Sequence, residues 1–378
     1  MKRFIIPVIL GMLSSCSIVK KTAENKLPVS LRLIDVYTVP HNFRFQETTV
    51  GGLSGIDYDA STNTFYTISD DRSDLQPARY YRFHVSFTDK KIDTVLFLET
   101  TKLLQPDGKP YPSAKENPLL TPDPESIRYH PGKKELVWTS EGERTIGKTG
   151  NTIQDPAIHF MQTSGKHICT LPLPVSLKIQ PTENGPRRNG VLEGASFSAN
   201  YKKLYVSLEE PRYEDGKQAG LEPSDAWVRI YEFNTRNGKN LAQYAYRLEP
   251  VAYAPNPPGS FMVNGIPDIL YAGKNRLLVM ERSFSTGRIP CTIKIFSVDL
   301  GEAEDIKHIS ALKEQPPAKP LRKKLLLNLD HLGIYTDNVE GMCFGPTLPN
   351  GKKTLWMIAD NNFSGLEKTQ LFLFEVNY

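Results

Sequence analysis

Apolar and polar residues alternate along most of this chain with the period of two that marks half-buried strands. Five stretches carry one arrangement: a small or acidic residue, an alternating strand, a turn, a second strand and an acid. They are LSGIDYDASTNTFYTISDDR from Leu53, PESIRYHPGKKELVWTSEGER from Pro124, LEGASFSANYKKLYVSLEEPR from Leu192, IPDILYAGKNRLLVMERS from Ile266 and VEGMCFGPTLPNGKKTLWMIADNN from Val339. Ser54, Glu125, Glu193, Pro267 and Glu340 hold the matching second position, so the repeats are spaced 71, 68, 74 and 73 residues apart. More strand signal follows: RYYRFHVSF and DTVLFLETTKL after the first hairpin, WVRIYEF and LAQYAYRL after the third, TIKIFSVDL and KKLLLNLD after the fourth. Four strands per unit is the pattern of a propeller blade.

The fifth unit has one further strand, LFLFEVNY, and lacks its fourth. LRLIDVYTV, from Leu31 to Val39, precedes the first repeat and can supply it, which removes the open edges. The expected fold is all-β: a β-propeller of five four-stranded repeats closed by strands from both ends. Six blades are left open, should a long connection hold a degenerate unit. Two β-sandwiches would not explain an end-to-end repeat.

Composition narrows the class. Over 378 residues, 46 Lys and Arg face 42 Asp and Glu, a net charge of +4 that leaves no cation excess for nucleic acid. No run of 18 apolar residues occurs, so no spanning helix is expected. The opening MKRFIIPVILGMLSSCS has a basic start, an apolar stretch from Phe4 to Leu13 and small residues before Cys16, the layout of an export signal. Leu13-Ser14-Ser15-Cys16 resembles a bacterial lipobox, in which the cysteine is acylated; an ordinary signal with a chance cysteine is the alternative. Residues 1–15 therefore read as a lipoprotein-type signal peptide, 16–28 as lipidated Cys16 and a solvated tether, and 29–378 as the propeller. The expectation is a monomer at the bacterial cell envelope, held to the lipid bilayer by acylated Cys16. Cys169, Cys291 and Cys343 lack metal-ligand spacing and read as small buried apolar residues, with a disulfide left open.

Within a hairpin, the residues before strand one and after strand two lie at one end, here the mouth of the funnel. Asp70, Glu125, Glu141, Glu193, Glu209, Asp268, Glu281, Glu340 and Asp360 take nine of these ten places, with Ser54 the exception. Arg72, Arg144 and Arg282 follow closely, and Arg212 slightly later. Pro- and Gly-rich connections such as QPDGKPYPSAKENPLLTPD, EPVAYAPNPPGSFMVNG and RTIGKTGNTIQDP reach the same face and can wall a cavity. Crowded carboxylates raise one another's pKa unless cations intervene. Calcium suits oxygen ligands, and arginines can pair with the acids or fork onto an anionic substrate. Equally, acids at hairpin ends can bond backbone N–H groups of the next blade and hold the ring with no metal.

The segments GGLSGIDYD…FYTISDDR, LEGASFS…LYVSLEEP and NVEGMCFGP…LWMIADNNFS resemble the bacterial phytase-like domain family, labelled "esterase-like activity of phytase", from about Leu31 to Tyr378. The resemblance implies a propeller related to calcium-dependent alkaline phytases, which hydrolyse phosphate monoesters of inositol. It implies Asp70, Glu193, Glu209, Glu340 and Asp360 as calcium ligands and Arg72 and Arg282 as clamps on an anionic phosphoester. Glu193, Glu340, Arg72 and Arg282 are then the expected catalytic set. Histidine acid phosphatase, nucleophile-elbow, P-loop and H-E-x-x-H motifs are all absent. His41, His130 and His331 read as surface or structural groups, and Tyr58, Phe197, Tyr271 and Phe344 as packing residues. The expected function is cation-dependent phosphoester hydrolysis at the funnel mouth; the alternative is a non-catalytic propeller that binds a ligand, glycan or protein.

Overall fold

The computed structural model describes residues 1, 28, 30–148 and 150–378. Cys16 and the signal read around it lie outside the described residues. Five four-stranded antiparallel sheets follow one another around a central axis as a five-bladed β-propeller. Blade 1 is Leu53–Asp59, Thr64–Ser69, Arg79–Phe87 and Ile92–Lys102; blade 2 is Pro124–His130, Glu135–Ser140, Ala157–Gln162 and His167–Thr170. Blade 3 is Leu192–Phe197, Lys203–Leu208, Trp227–Asn234 and Asn240–Arg247; blade 4 is Met262–Gly273, Arg276–Ser285, Arg288–Asp299 and Lys323–Asn328. Blade 5 is Asn338–Gly345, Thr354–Asp360 and Thr369–Asn377, completed by Ser30–Val39 from the other end of the chain. No sixth sheet of this kind is present among the described residues.

Position within a blade explains the sequence pattern. The second strands are covered on both faces by neighbouring sheets, so FYTI, LVW, LYV, LLVM and LWMIA read as nearly unbroken apolar runs. Outer strands such as Ile92–Lys102 show solvent on one face and alternate instead. The core lies between blades. Phe65 meets Trp356 at 5.2 Å across the blade 1–blade 5 seam, and Tyr66 meets Tyr129 at 5.2 Å across the seam to blade 2.

Inner strands approach one another closely around the axis. A Cβ on Gly55 would lie 2.7 Å from the Glu125 carbonyl oxygen, and one on Gly194 would lie 2.6 Å from the Ile269 nitrogen. Only glycine fits there. Beside these positions every inner hairpin carries a register shift: Leu53/Gly55, Pro124/Ile127, Leu192/Ala195, Gly265/Asp268 and Val339/Gly341. A β-bulge re-aims the side chain it carries, and Glu125, Glu193 and Glu340 sit within these shifts.

Candidate functional site

The hairpin registers place each acid. Tyr58, Tyr129, Phe197, Tyr271 and Phe344 pair with Phe65, Leu136, Leu204, Leu277 and Leu355. Five residues beyond each partner stand Asp70, Glu141, Glu209, Arg282 and Asp360. Blade 4 thus puts an arginine where the other four blades put an acid. Glu281 is one residue out of step, and a one-residue step turns a strand side chain to the other face. It accepts hydrogen bonds from Tyr246 (2.6 Å), Asn264 (2.7 Å) and Lys323 (2.8 Å), so it leaves the acid ring expected from sequence.

Asp268 leaves it too. Its carboxylate takes both Arg128 Nη2 bonds at 2.6 Å and accepts from the Met342 N–H at 2.7 Å and its neighbour Ile269 N–H at 2.8 Å. Arg128 also donates to the Ala195 carbonyl at 2.5 Å and to the Ile56 carbonyl. One buried ion pair therefore reaches inner strands of all five blades and stops the channel below the acids. The funnel has a floor.

Above the floor opens a cavity of about 920 Å³. Asp70, Glu193, Glu209 and Glu340 line it, as do Arg72 and Arg282. Asp360 stands behind the wall, fully buried: its Oδ1 accepts from the Asn362 N–H at 2.9 Å, and its Oδ2 has no partner among the described residues. Among the described lining residues ten are acidic and four are arginines.

The arginines are largely spoken for. Arg282 reaches Glu209 at 2.5 Å and Glu340 at 2.6 Å, and also donates to Asn338. Burial works against its charge, but Glu209 and Glu340 outweigh it and hold the guanidinium pKa above its usual range. Arg72 contacts Glu143 at 3.0 Å and Asp123 at 3.4 Å, and Arg188 meets Glu143 at 3.0 Å. Glu143 lies on a β-hairpin, Glu143–Gly147 with Gly150–Gln154, in the connection that sequence read as an irregular loop. Arg144 turns away to the Gln180 carbonyl, and Arg212 is buried with Arg229 on Asp215, outside the cavity.

One trio stands apart. Asp123, Glu125 and Glu141 offer carboxylate oxygens within 4.8 Å of one another. Burial first, then Glu193, Asp123, Glu141 and Glu340, all push the Glu125 pKa up. Burial and neighbouring acids likewise raise Glu141 and Glu193. Burial takes Asp123 to about 7 and Glu340 to about 8, with arginines pulling back on both. Asp123 was not singled out in the sequence, because it lies in the connection ahead of the strand; its only signal was TPDPES, two residues before Glu125. Cys291 also reaches the cavity, where burial pushes its thiol up to about 12 and leaves no nucleophilic thiolate.

A family model described as "Phytase-like: Esterase-like activity of phytase" matches residues 48–363. The chain belongs to the phytase-like family. No curated protein matches it. Solved propeller structures similar to this phytase-like chain include an endo-arabinase from Bacteroides thetaiotaomicron, 12% identical, covering 93% of this chain and 96% of that one at a TM-score of 0.42. An exo-β-1,3-galactanase from Phanerochaete chrysosporium is 9% identical over 90% of this chain and 64% of its own, with a TM-score of 0.46. A periplasmic gluconolactonase from Pseudomonas aeruginosa is 11% identical over 87% and 86%, with a TM-score of 0.35. Such low identities leave the chemistry of the phytase-like funnel to be argued from its own residues.

The raised carboxyls carry a pH signature. Unfolded carboxyls release protons near pH 4, whereas the folded Asp123 and Glu340 hold theirs to about 7 and 8. Between these limits the folded state binds more protons, so its contribution to stability is full at low pH and lost as pH rises toward 8. Metal-free protein is expected to melt at a lower temperature at pH 8 than at pH 5, with a smaller drop in Glu340→Gln. Equal drops in the two proteins, followed by thermal melting, would contradict the assignment.

Proposed function

We propose that this phytase-like propeller hydrolyses phosphate monoesters with the help of a hard divalent cation, calcium first among them, at the base of the funnel. The observation that carries this reading is the Asp123–Glu125–Glu141 trio, three convergent carboxylates in which Glu125 is buried and pressed mainly by neighbouring acids. The donor set is oxygen only, which fits calcium or magnesium and not the softer metals that favour Cys or His. Asp123, Glu125, Glu141 and the adjacent Glu193 are the residues that would hold the ion. When bound, it would balance these charges, polarise a phosphoryl oxygen and make water a stronger nucleophile.

The chain's own groups set the rest. Arg282 holds Glu209 and Glu340 together through Nη2 and Nη1 and so acts as a positioning residue, while its buried Nε has no partner among the described residues. Arg72, which contacts Asp123 of the trio, and Arg188, which shares Glu143 with it, line the cavity and supply positive charge that orients an anionic group. The Arg128–Asp268 floor keeps bulk water from entering from below. The lipobox-like Leu13-Ser14-Ser15-Cys16 supports a lipid-anchored protein of the cell envelope.

The test is phosphate release from phytate and simple phosphomonoesters by the chain beginning at Ser17, with calcium and with chelator, beside Glu340→Ala. Calcium-dependent release that the variant loses is the expected result. A folded protein that releases nothing under any condition would overturn the hydrolase and favour a binding propeller.

A further inference from the structure

The funnel wall is not uniform. Across the ring from blade 2, the apolar lining residues gather on blades 4 and 5, where Phe261, Val263, Phe284, Ile289 and Leu366 line the same cavity as the acids, interleaved with Arg288, Asp337 and Glu367. Phe261, Ile289 and Leu366 are 64%, 69% and 86% exposed, a large apolar presence for a monomer's surface concentrated at one edge of a polar site. The backbone beneath two of them is tied down, and the Phe261 ring is supported from one side. The Phe261 carbonyl accepts from both the Thr286 N–H and hydroxyl at 2.9 Å, and its ring packs on Phe284 at 6.1 Å. The Leu366 N–H is bound by the Ser364 hydroxyl at 3.2 Å. A ring supported as Phe261 is loses little freedom when a ligand covers it.

The charge of the cavity bears on what that ligand is. Ten acids against four arginines oppose a polyanion. A single phosphoryl group, balanced by one cation at the trio, is compatible with such a lining. We infer that the substrate is an amphiphile: one phosphate monoester whose alkyl or aryl group lies against Phe261, Ile289 and Leu366, in preference to a multiply phosphorylated sugar or cyclitol. This rests on the hydrolase reading and narrows its substrate class. The apolar wall is an edge of the reaction cavity and not a separate docking face, so its occupant is the substrate's own apolar part.

The experiment separates the two layers. Calorimetry in calcium compares n-hexylphosphonate with ethylphosphonate, which share a head group and cannot be hydrolysed, on the chain beginning at Ser17. A second protein carries Phe261→Ser and Leu366→Ser, both exposed positions whose exchange leaves the core intact. Four extra methylenes that are partly covered should tighten binding by tenfold or more, at roughly fourfold for each one fully buried. The ratio should fall toward one in the double variant. Equal affinities, a ratio that the variant keeps, or no binding of either phosphonate overturns the inference. Phosphate release from ethyl phosphate, measured in parallel, decides the hydrolase reading by itself.

Discussion

Arg128→Met is expected to lower the stability of the protein by about 3–5 kcal/mol, read as a shift in the urea midpoint. The substitution leaves Asp268 fully buried, deprived of its ion-pair partner and still bonded to the Met342 N–H. Burial already lifts Asp268 to about 6, with Arg128 as the chief force holding it down. Without the guanidinium, its carboxyl would take up a proton or stay charged at high cost. The Ala195 and Ile56 carbonyls lose their donor in the same step. Arg128→Met/Asp268→Leu should recover much of the loss, because two matched apolar groups leave no isolated charge. A single variant within about 1 kcal/mol of the parent would mean that the pair fills the axis without holding it.

Glu125→Gln is expected to act in two opposite directions. In calcium, phosphomonoester turnover should fall at least about a hundredfold, since the trio loses a charged ligand and the amide keeps only its shape. In chelator the same variant should melt at a higher temperature than the parent, because one member of a mutually repelling buried group has become neutral. The rise in melting temperature on adding calcium should shrink accordingly. Measuring melting with and without calcium, alongside turnover, decides the matter. A variant that keeps its activity, or is destabilised in chelator, places the ion elsewhere.

The blade repeat was legible because every inner hairpin meets the same demand, a strand buried on both faces next to a crowded axis. Tyr58, Phe197, Tyr271 and Phe344 recur for packing, with Tyr129 in the same place in the second repeat, and the count of five follows from the five hairpins that carry them. The gathering of Asp70, Glu193, Glu209 and Glu340 at one end followed from hairpin geometry alone. What escaped was register. The blade 4 repeat, IPDILYAGKNRLLVMERS, offers Asp268 and Glu281 as acids, yet Asp268 goes into the axis onto Arg128 and Glu281, one residue short of the ring position, turns to a tyrosine and a lysine. Strand two of blade 4, LLVMER, ends in Arg282 where FYTISD, LVWTSE, LYVSLE and LWMIAD end in an acid, and the adjacent Glu281 masked that difference. Asp123 and Glu143 lie on connections, where no periodicity marks which side chains turn inward.

The clasp between Ser30–Val39 and Thr369–Asn377 has a consequence for how the chain acquires its shape. Arg32 bonds Glu375 across 343 positions of sequence, at 2.8 Å, and Lys352 reaches the same carboxylate at 2.6 Å. Blades 1 to 4 are each local in sequence and can form in order of synthesis, as hairpins do. Blade 5 cannot be completed until the final segment has been made, however early its outer strand emerged. During that interval the Ser30–Val39 strand has no partner, and Leu371, Phe372 and Phe374 have not yet entered the core. The ring therefore exists as an open arc for most of its manufacture, and its susceptibility to mispairing belongs to that arc and not to the closed molecule.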